Sequence, residues 1–166
     1  MSEIRLSIVI PARNEEALIG ETLEAILASV AHALGMSPHD LWLPDTFFEV
    51  IVADDGSEDA TAAVVGIFAD EAGVRLVPCV GRTCAAARNA GAAASSGRVF
   101  CFVDADTLVP VNAVERILQL HEGESRCLCS IGSPPASLGS EPGSGGPSGG
   151  WRDASPWRGP SRCRRS

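Results

Sequence analysis

The sequence of 166 residues contains no lysine and no tyrosine, so arginine supplies all 13 of its basic side chains. Without lysine, no mechanism that depends on a catalytic side-chain amine is open to this chain. The six cysteines include no Cys-x-x-Cys pair, which disfavours a cysteine-held metal. No apolar run approaches the roughly 18 residues of a transmembrane helix, and the first residues do not follow the pattern of a signal peptide. We therefore expect a cytoplasmic protein with no transmembrane segment in this chain.

Charge and small residues divide the sequence into two parts. Residues 1–121 carry seven arginines against seventeen acidic residues, whereas 25 of the last 45 residues are glycine, proline or serine. The acidic first part argues against nucleic acid as a partner, because nonspecific binding needs a basic face to neutralise phosphates. The second part has too little apolar surface to form a core. We predict a domain over residues 1–121 and a disordered tail over residues 122–166, whose composition also resembles an out-of-frame translation.

Hydrophobic patterns predict an alternation of strands and helices. Short runs rich in β-branched and aromatic residues predict strands at residues 6–10, 48–53, 74–78 and 99–103. Each is followed by a predicted helix, and we expect Asn14, Ser57 and Pro110 to begin three of these helices. The β-α-β-α order implies right-handed crossovers between parallel strands. The predicted fold class is therefore α/β, with a Rossmann-like, open, mostly parallel sheet that carries helices on both faces.

Unusual polar residues follow the predicted strands. Asp104 and Asp106 come directly after the fourth strand, and Asp54 and Asp55 end the second. Because the carboxyl ends of parallel strands share one edge, where open α/β sheets bind ligands, these residues should meet in a cleft. Carboxylates there suit ribose hydroxyls and a divalent cation, and arginines suit a diphosphate. The alternative is that the acidic residues only cap the helices that follow. Other residues expected at this edge are Arg13, Glu15, Arg82 and Arg88.

Four ordered motifs across about 120 residues resemble glycosyltransferase family 2, whose members have the GT-A fold. They are Ser-Ile-Val-Ile-Pro-Ala-Arg-Asn-Glu at residues 7–15, Val-Ala-Asp-Asp-Gly-Ser-Glu-Asp at 52–59, Ala-Arg-Asn-Ala-Gly at 87–91 and Phe-Val-Asp-Ala-Asp at 102–106. The resemblance implies a nucleotide-diphosphate sugar donor, bound by this nucleotide-binding half of the fold.

The same resemblance implies a role for each candidate site residue. Arg88 would lie near the nucleotide and its diphosphate, and Asp104 would hold the ribose or the sugar. Asp106 would coordinate Mg²⁺ or Mn²⁺, which would offset charge on the departing nucleoside diphosphate. The residues that would contact the base and the ribose are Pro11, Arg13, Glu15 and Asp55.

The resemblance does not extend to the acceptor side. Members of the family continue with a half that contains a catalytic Asp or Glu, the general base for the acceptor hydroxyl. After His121 no such motif follows, so the domain is expected to be incomplete through a frameshift or truncation near Gly123. The general base is therefore unknown, and the acceptor is left open among a lipid, a saccharide and a small molecule. A lipid acceptor would bring the protein to the inner face of the membrane.

Two other interpretations remain open from the residues. The run Val99–Val103 followed by Asp104 and Asp106 also resembles the nucleophile motif of haloacid-dehalogenase-like phosphatases, with Asp104 as nucleophile. That family needs a lysine partner, which this sequence lacks. The chain could instead be a non-catalytic nucleotide-binding fragment. A dinucleotide dehydrogenase is excluded, because the turn after the first strand contains no glycine.

Overall fold

The structure, a computed structural model, describes residues 4–121 and the backbone of residues 127–131. Within these described residues, five strands alternate with four helices, and two short 3₁₀ helices, Pro38–Asp40 and Leu43–Asp45, lie in the loop before the second strand. The strands are β1 Leu6–Ala12, β2 Phe48–Asp54, β3 Arg75–Pro78, β4 Val99–Val103 and β5 Cys127–Ile131; the helices are α1 Ile19–Leu34, α2 Thr61–Ala72, α3 Cys84–Ala93 and α4 Ala113–Leu120.

All five strands lie parallel in one sheet, in the order β3-β2-β1-β4-β5. Leu6 at the start of β1 lies opposite Phe48 of β2 on one side and Val99 of β4 on the other. The predicted open parallel sheet is confirmed. The chain progresses outward from β1 to β3 and then returns to the other side of β1, so the strand order reverses between β1 and β4. In open α/β sheets ligands bind at such a reversal.

Helices cover both faces of the sheet, as predicted. Leu6, Ile8 and Ile10 alternate along β1, are at most 2% exposed, and belong to one apolar cluster with residues of α1, α2 and α4. On the opposite face Val9 lies against Gly91 of α3. β1 is apolar on both faces because it is central, and this is the pattern of a buried parallel strand.

Helix α3 packs closely on the sheet, and of the four predicted contact residues only Gly91 is buried. We expected contact through Ala85, Ala86, Ala90 and Gly91; the structure buries Ala87 and Gly91 and leaves Ala85 exposed. A Cβ atom added to Gly91 would lie 2.3 Å from Cγ1 of Val9, so no larger residue fits without movement. The contact residues are four apart, as one face of an α-helix requires.

The predicted helix starts are wrong in all three cases. α1 begins at Ile19 and α2 at Thr61, and neither has a side-chain cap at its N-terminus. The amide of Asn14 donates a hydrogen bond to the Ser57 hydroxyl, and Oδ1 of Asn14 accepts one from the amide of Glu58. These polar groups therefore join the loops after β1 and β2 instead of capping the helices that follow. α4 begins at Ala113, three residues after Pro110.

The sheet continues beyond the predicted boundary at residue 121. Cys127–Ile131 forms β5 and pairs with β4 along its whole length, so the expectation that residues 122–166 contain no strand is wrong for these five. The run Cys-Leu-Cys-Ser-Ile is short and lies beside Gly- and Ser-rich sequence, which masked its apolar character. The rest of the predicted tail lies outside the described residues. Within the part of the chain that the structure describes, no helix is long and apolar enough to cross a membrane.

Candidate nucleotide-binding site

A cleft of about 450 Å³ opens at the carboxyl edge of the sheet, where the strand order reverses. The loops after β1, β2, β3 and β4 each contribute to its walls. All seven predicted site residues line it, so the structure brings them together as the topology predicts. The lining residues are Pro11, Ala12, Arg13, Glu15, Asp55, Arg82, Thr83, Cys84, Ala87, Arg88, Asp104, Ala105 and Asp106.

An ion pair crosses the floor of the cleft. Nη2 of Arg88, on α3, lies 2.7 Å from Oδ1 of Asp104, which follows β4. Both side chains are about two-fifths exposed, so a ligand in the cleft can reach them. The pair also fixes the guanidinium between α3 and the end of β4. A charge-assisted hydrogen bond of this length is among the stronger polar contacts in proteins.

Asp55 organises the loop that leads into α3. Its Oδ1 accepts hydrogen bonds from the backbone amides of Gly81 at 2.7 Å and Arg82 at 2.8 Å. The Gly81 amide is the largest cause that holds the pKa of Asp55 below its ordinary value; burial acts against it, and the Arg82 amide and the charge of Arg13 act with it. Arg82 has a φ of 51°, a left-handed conformation that is uncommon for a residue with a side chain. Asp55 therefore fixes the backbone of Gly81 and Arg82, which lead into one wall of the cleft.

Glu15 and Asp106 bring two further carboxylates to the cleft. Burial raises the pKa of Glu15, and the charges of Asp106 and then Asp59 raise it further. The turn that carries Asp106 is tied to α1, because the hydroxyl of Thr22 donates a hydrogen bond to the carbonyl of Ala105 at 2.7 Å. Among the described residues, no group of three or more potential ligands is arranged to hold a metal ion by itself. A cation here would need oxygen atoms from a bound ligand as well.

Two features of the cleft differ from expectation. Asp54 was expected at the edge beside Asp55, but it does not line the cleft; its Oδ1 accepts a hydrogen bond from the amide of Ser57 at 3.1 Å. Cys84 and Thr83 do line the cleft and were not predicted. Thr83 caps α3 by accepting a hydrogen bond from the amide of Ala86 at 3.1 Å, so the signal that could have found it is an N-cap directly after Gly81 and Arg82. Nothing in the sequence distinguishes Cys84.

Comparison with known families agrees with this geometry. The family model described as Glycosyl transferase family 2 matches residues 7–143, which is most of the chain. The chain belongs to glycosyltransferase family 2. The match includes all four motifs and every residue that lines the cleft.

Similar proteins include several named glycosyltransferases. Validoxylamine A glucosyltransferase of Streptomyces hygroscopicus subsp. limoneus is 33% identical over 129 residues, which cover 76% of this chain and 26% of that protein. The probable glycosyltransferase YdaM of Bacillus subtilis is 34% identical over 107 residues, covering 61% of this chain and 23% of that protein. Dolichyl-phosphate beta-glucosyltransferase of Drosophila melanogaster is 32% identical over 107 residues, covering 62% and 31%. The matched part is thus about a quarter to a third of each of these relatives.

Solved structures of Staphylococcus aureus TarS share the fold. The structure of TarS 1–349 has a TM-score of 0.58 and 21% identity, covering 71% of this chain and 32% of that chain. A second structure, of the same protein in complex with UDP-GlcNAc, has a TM-score of 0.55 and covers 71% and 31%. At this identity the likeness concerns the fold alone, and it agrees with the predicted GT-A architecture.

Proposed function

We propose that this chain binds a nucleotide-diphosphate sugar in the cleft and forms the donor-binding part of an enzyme that transfers the sugar to an acceptor hydroxyl. Membership of glycosyltransferase family 2 supports the reaction class. The observation that carries the proposal is the convergence of four loops on one cleft at the strand reversal. That cleft is lined by both arginines and carboxylates.

The charges in the cleft suit the parts of such a donor. Arg13, Arg82 and Arg88 all line it, and guanidinium groups bind phosphate oxygens through paired N–H donors. Carboxylates accept hydrogen bonds from ribose and sugar hydroxyls. Asp104 would serve this role while its partner, Arg88, faces the diphosphate. Pro11 and Asp55 would contact the base from the opposite wall.

A divalent cation, Mg²⁺ or Mn²⁺, fits the donor set of this cleft. Both ions prefer oxygen ligands, and Mg²⁺ commonly takes one or two carboxylates together with substrate phosphates. Asp106 is the residue we expect to hold it, because it lines the cleft at the end of β4 and occupies the position that the family motif at residues 102–106 gives to the metal ligand. The cation would supply positive charge opposite the departing diphosphate.

The acceptor side stays open. No general base is assigned among the described residues, and the acceptor could be a lipid, a saccharide or a small molecule. Two relatives are named dolichyl-phosphate beta-glucosyltransferases. A lipid phosphate, whose phosphate oxygen would take the place of the acceptor hydroxyl, is therefore the acceptor to test first, and it would bring the enzyme to the cytoplasmic face of a membrane.

The phosphatase alternative is less well supported. A nucleophilic Asp104 would have to attack phosphorus while its Oδ1 is engaged by Arg88. The family match also points away from it. The non-catalytic alternative shares the donor-binding step, so only an assay of sugar transfer distinguishes it from the proposed function.

Ligand-dependent thermal stabilisation tests donor binding. We expect one of UDP, GDP and dTDP, with Mn²⁺, to raise the melting temperature of the 166-residue chain by several degrees, because ligand at about 100 times its Kd adds about 2.7 kcal/mol. EDTA should remove most of the shift, and so should Asp106→Asn. Asp70→Asn, an exposed carboxylate on α2, is the matched control and should leave the shift unchanged.

Two outcomes would contradict the proposal. If no nucleoside diphosphate stabilises the chain, the cleft does not bind the donor. If the stabilisation survives both EDTA and Asp106→Asn, the metal role given to Asp106 is wrong, and the acidic residues at the end of β4 have another function.

A further inference from the structure

Three polar residues link the end of β2 to the loop after β1. Oδ1 of Asp54, which is 9% exposed, accepts hydrogen bonds from both the amide and the hydroxyl of Ser57. The Ser57 oxygen in turn accepts a hydrogen bond from the amide of Asn14 at 2.9 Å. Oδ1 of Asn14 accepts one from the amide of Glu58 at 2.8 Å, which closes the link in the other direction. Residues 43 and 44 positions apart are thereby held together.

The backbone of Asn14 is held in an uncommon conformation by these bonds. Its φ is 55°, in the left-handed region, which asparagine adopts more readily than most other residues with a side chain. Asn14 stands between Arg13 and Glu15, both of which line the cleft. The direction in which these two side chains leave the backbone therefore depends on the conformation of Asn14.

Neighbouring bonds join the same two loops. The amide of Glu15 donates to Oγ1 of Thr61 at 2.8 Å, and the amide of Glu16 donates to Oδ2 of Asp59 at 3.1 Å. Oε2 of Glu16 accepts from the amide of Ala60 at 2.7 Å. These contacts limit how far the loop can relax, so a change at Ser57 should alter the position of Arg13 and Glu15 rather than unfold the loop.

We propose that Asp54, Ser57 and Asn14 form a positioning relay, through which the buried end of β2 holds Arg13 and Glu15 at the cleft and sets its affinity for a nucleoside diphosphate. None of the three residues lines the cleft. They act through Arg13 and Glu15, and the effect on affinity rests on the proposed function. The effect on the loop does not, because the hydrogen bonds exist in the chain by itself.

The relay is tested by removing the Ser57 hydroxyl and comparing three variants. Ser57→Ala loses the hydroxyl bonds to Asp54 and Asn14 but keeps the amide bond to Asp54, Ser57→Thr keeps a hydroxyl, and Ser95→Ala removes a similar hydroxyl bond at the far end of α3. The probe is whichever of UDP, GDP and dTDP stabilises the parent most, titrated with Mn²⁺. We expect Ser57→Ala to raise Kd about tenfold and the other two variants to stay within about twofold, given the usual strength of such bonds.

A fourth variant separates the effect of the backbone conformation of Asn14 from the effect of its side chain. Asn14→Gly tolerates the positive φ but loses the bond to Glu58. We expect an increase in Kd of about threefold, between those of Ser57→Thr and Ser57→Ala. Amide hydrogen exchange at Glu15 and Glu16, measured without nucleotide, should be faster in Ser57→Ala than in Ser95→Ala.

These measurements distinguish failure of the relay from failure of the proposed function. If the parent binds none of the three diphosphates, the proposed function fails, and the exchange rates alone decide whether the relay holds the loop. Faster exchange in Ser57→Ala supports it, and rates equal to those of Ser95→Ala overturn it. If the parent binds but Ser57→Ala and Ser95→Ala bind equally well, the relay does not position the cleft residues.

Discussion

At the scale of single residues, four aspartates at the carboxyl edge have four different environments. Asp54 is buried and bonded to Ser57, whereas Asp55 holds the amides of Gly81 and Arg82. Asp104 is paired with Arg88. Asp106 lines the cleft, and its charge contributes to the raised pKa of Glu15. The sequence marks all four in the same way, and the partners of Asp55 and Asp104 lie 16 to 27 residues away, where no local pattern indicates them.

The lowered pKa of Asp55 predicts how its contribution to stability depends on pH. A carboxyl group whose pKa is lower in the folded state stabilises the fold at pH values above its unfolded pKa of about 3.9. That contribution is lost as the pH falls through the lower folded value. We therefore expect the difference in unfolding free energy between the parent and Asp55→Asn, measured by urea denaturation, to be largest near neutral pH and to shrink below about pH 4.

Glu15 supplies a control of opposite sign for this prediction. Its pKa is raised, so its charged form destabilises the fold at neutral pH, and Glu15→Gln should be more stable than the parent there. This advantage should disappear as the pH falls below the ordinary pKa of glutamate. A stability difference for Asp55→Asn that stays constant between pH 7 and pH 3 would show that the amide bonds to Gly81 and Arg82 do not favour the ionised form.

Glu49 anchors the opposite edge of the sheet and was not predicted. It is 8% exposed on β2, where its Oε1 accepts hydrogen bonds from the Ser7 hydroxyl and from the amide of Ser96 at 2.6 Å. Its Oε2 lies 3.0 Å from Nη1 of Arg75. The Ser7 oxygen also accepts the amide of Gly97 at 2.9 Å. Glu49 thereby joins three strands to the loop that precedes β4.

We expect Glu49→Ala to lower the free energy of unfolding by about 2–4 kcal/mol, because it leaves the Ser96 amide and the Ser7 hydroxyl without their acceptor. Chemical denaturation measures the change. Glu24→Ala, an exposed carboxylate on α1, is the control and should change stability by less than about 0.5 kcal/mol. Equal effects of the two substitutions would mean that the buried network contributes nothing beyond the charge.

At the scale of secondary structure, α3 connects the packing of the sheet to the chemistry of the cleft. Gly91 lies on Val9 with no room for a side chain, and Arg88 stands one turn closer to the cleft on the same helix. The distance between α3 and the sheet therefore sets the position of the Arg88 guanidinium relative to Asp104.

Gly91→Ala should be destabilising by about 1–3 kcal/mol, although alanine is the better helix former. The added Cβ would lie 2.3 Å from Val9 and 3.4 Å from Cβ of Ala53, so α3 would have to move outward. Gly66→Ala on α2 is the matched control. Its added Cβ meets no atom within 4 Å, and we expect it to stabilise the fold by about 1 kcal/mol.

If α3 packs this closely, thermal or urea denaturation should show a lower free energy of unfolding for Gly91→Ala and a higher one for Gly66→Ala. Nucleoside diphosphate affinity should also fall in Gly91→Ala but not in Gly66→Ala, because only the first displaces Arg88. A stabilising Gly91→Ala substitution would show that α3 does not lie as close to β1 as the structure has it.

The strands were predictable and the loop geometry was not, for a physical reason. β1, β2 and β4 are apolar on nearly every residue, and this local pattern identifies a buried parallel strand. Asn14 and Ser57 look like helix caps because capping is the commonest use of such residues near a helix start. Their actual partners lie 43 and 44 residues away, and no local pattern records such a contact. The cleft residues were found because topology brings strand ends together and because the family motifs fall at those ends, although topology also placed Asp54 there, which does not line the cleft.

At the scale of the whole molecule, the chain carries a net charge of −8, and its first 121 residues are more acidic than the rest. Such a protein repels anionic ligands over a distance comparable with the Debye length, about 10 Å at 0.1 M salt. The cleft offsets this repulsion only in part, because three arginines and four carboxylates line it. A nucleoside diphosphate is therefore repelled by the net charge of the domain at long range, and the arginines of the cleft attract it only at short range.

This balance predicts opposite effects of salt with and without a divalent cation. In EDTA, raising NaCl from about 20 to 300 mM should tighten binding of the preferred nucleoside diphosphate by about two- to threefold, because salt screens the long-range repulsion more than the short-range contacts with the arginines. With Mn²⁺ the ligand and cation together approach neutrality at the cleft, and the same salt should weaken binding through competition for the charged groups. The corresponding uncharged nucleoside is the control, and its affinity should not change. Isothermal titration calorimetry at two salt concentrations measures all three. Tight binding of the diphosphate in EDTA that weakens with salt would mean that the arginines dominate the field of the cleft, and that no cation is needed to bring a diphosphate into it.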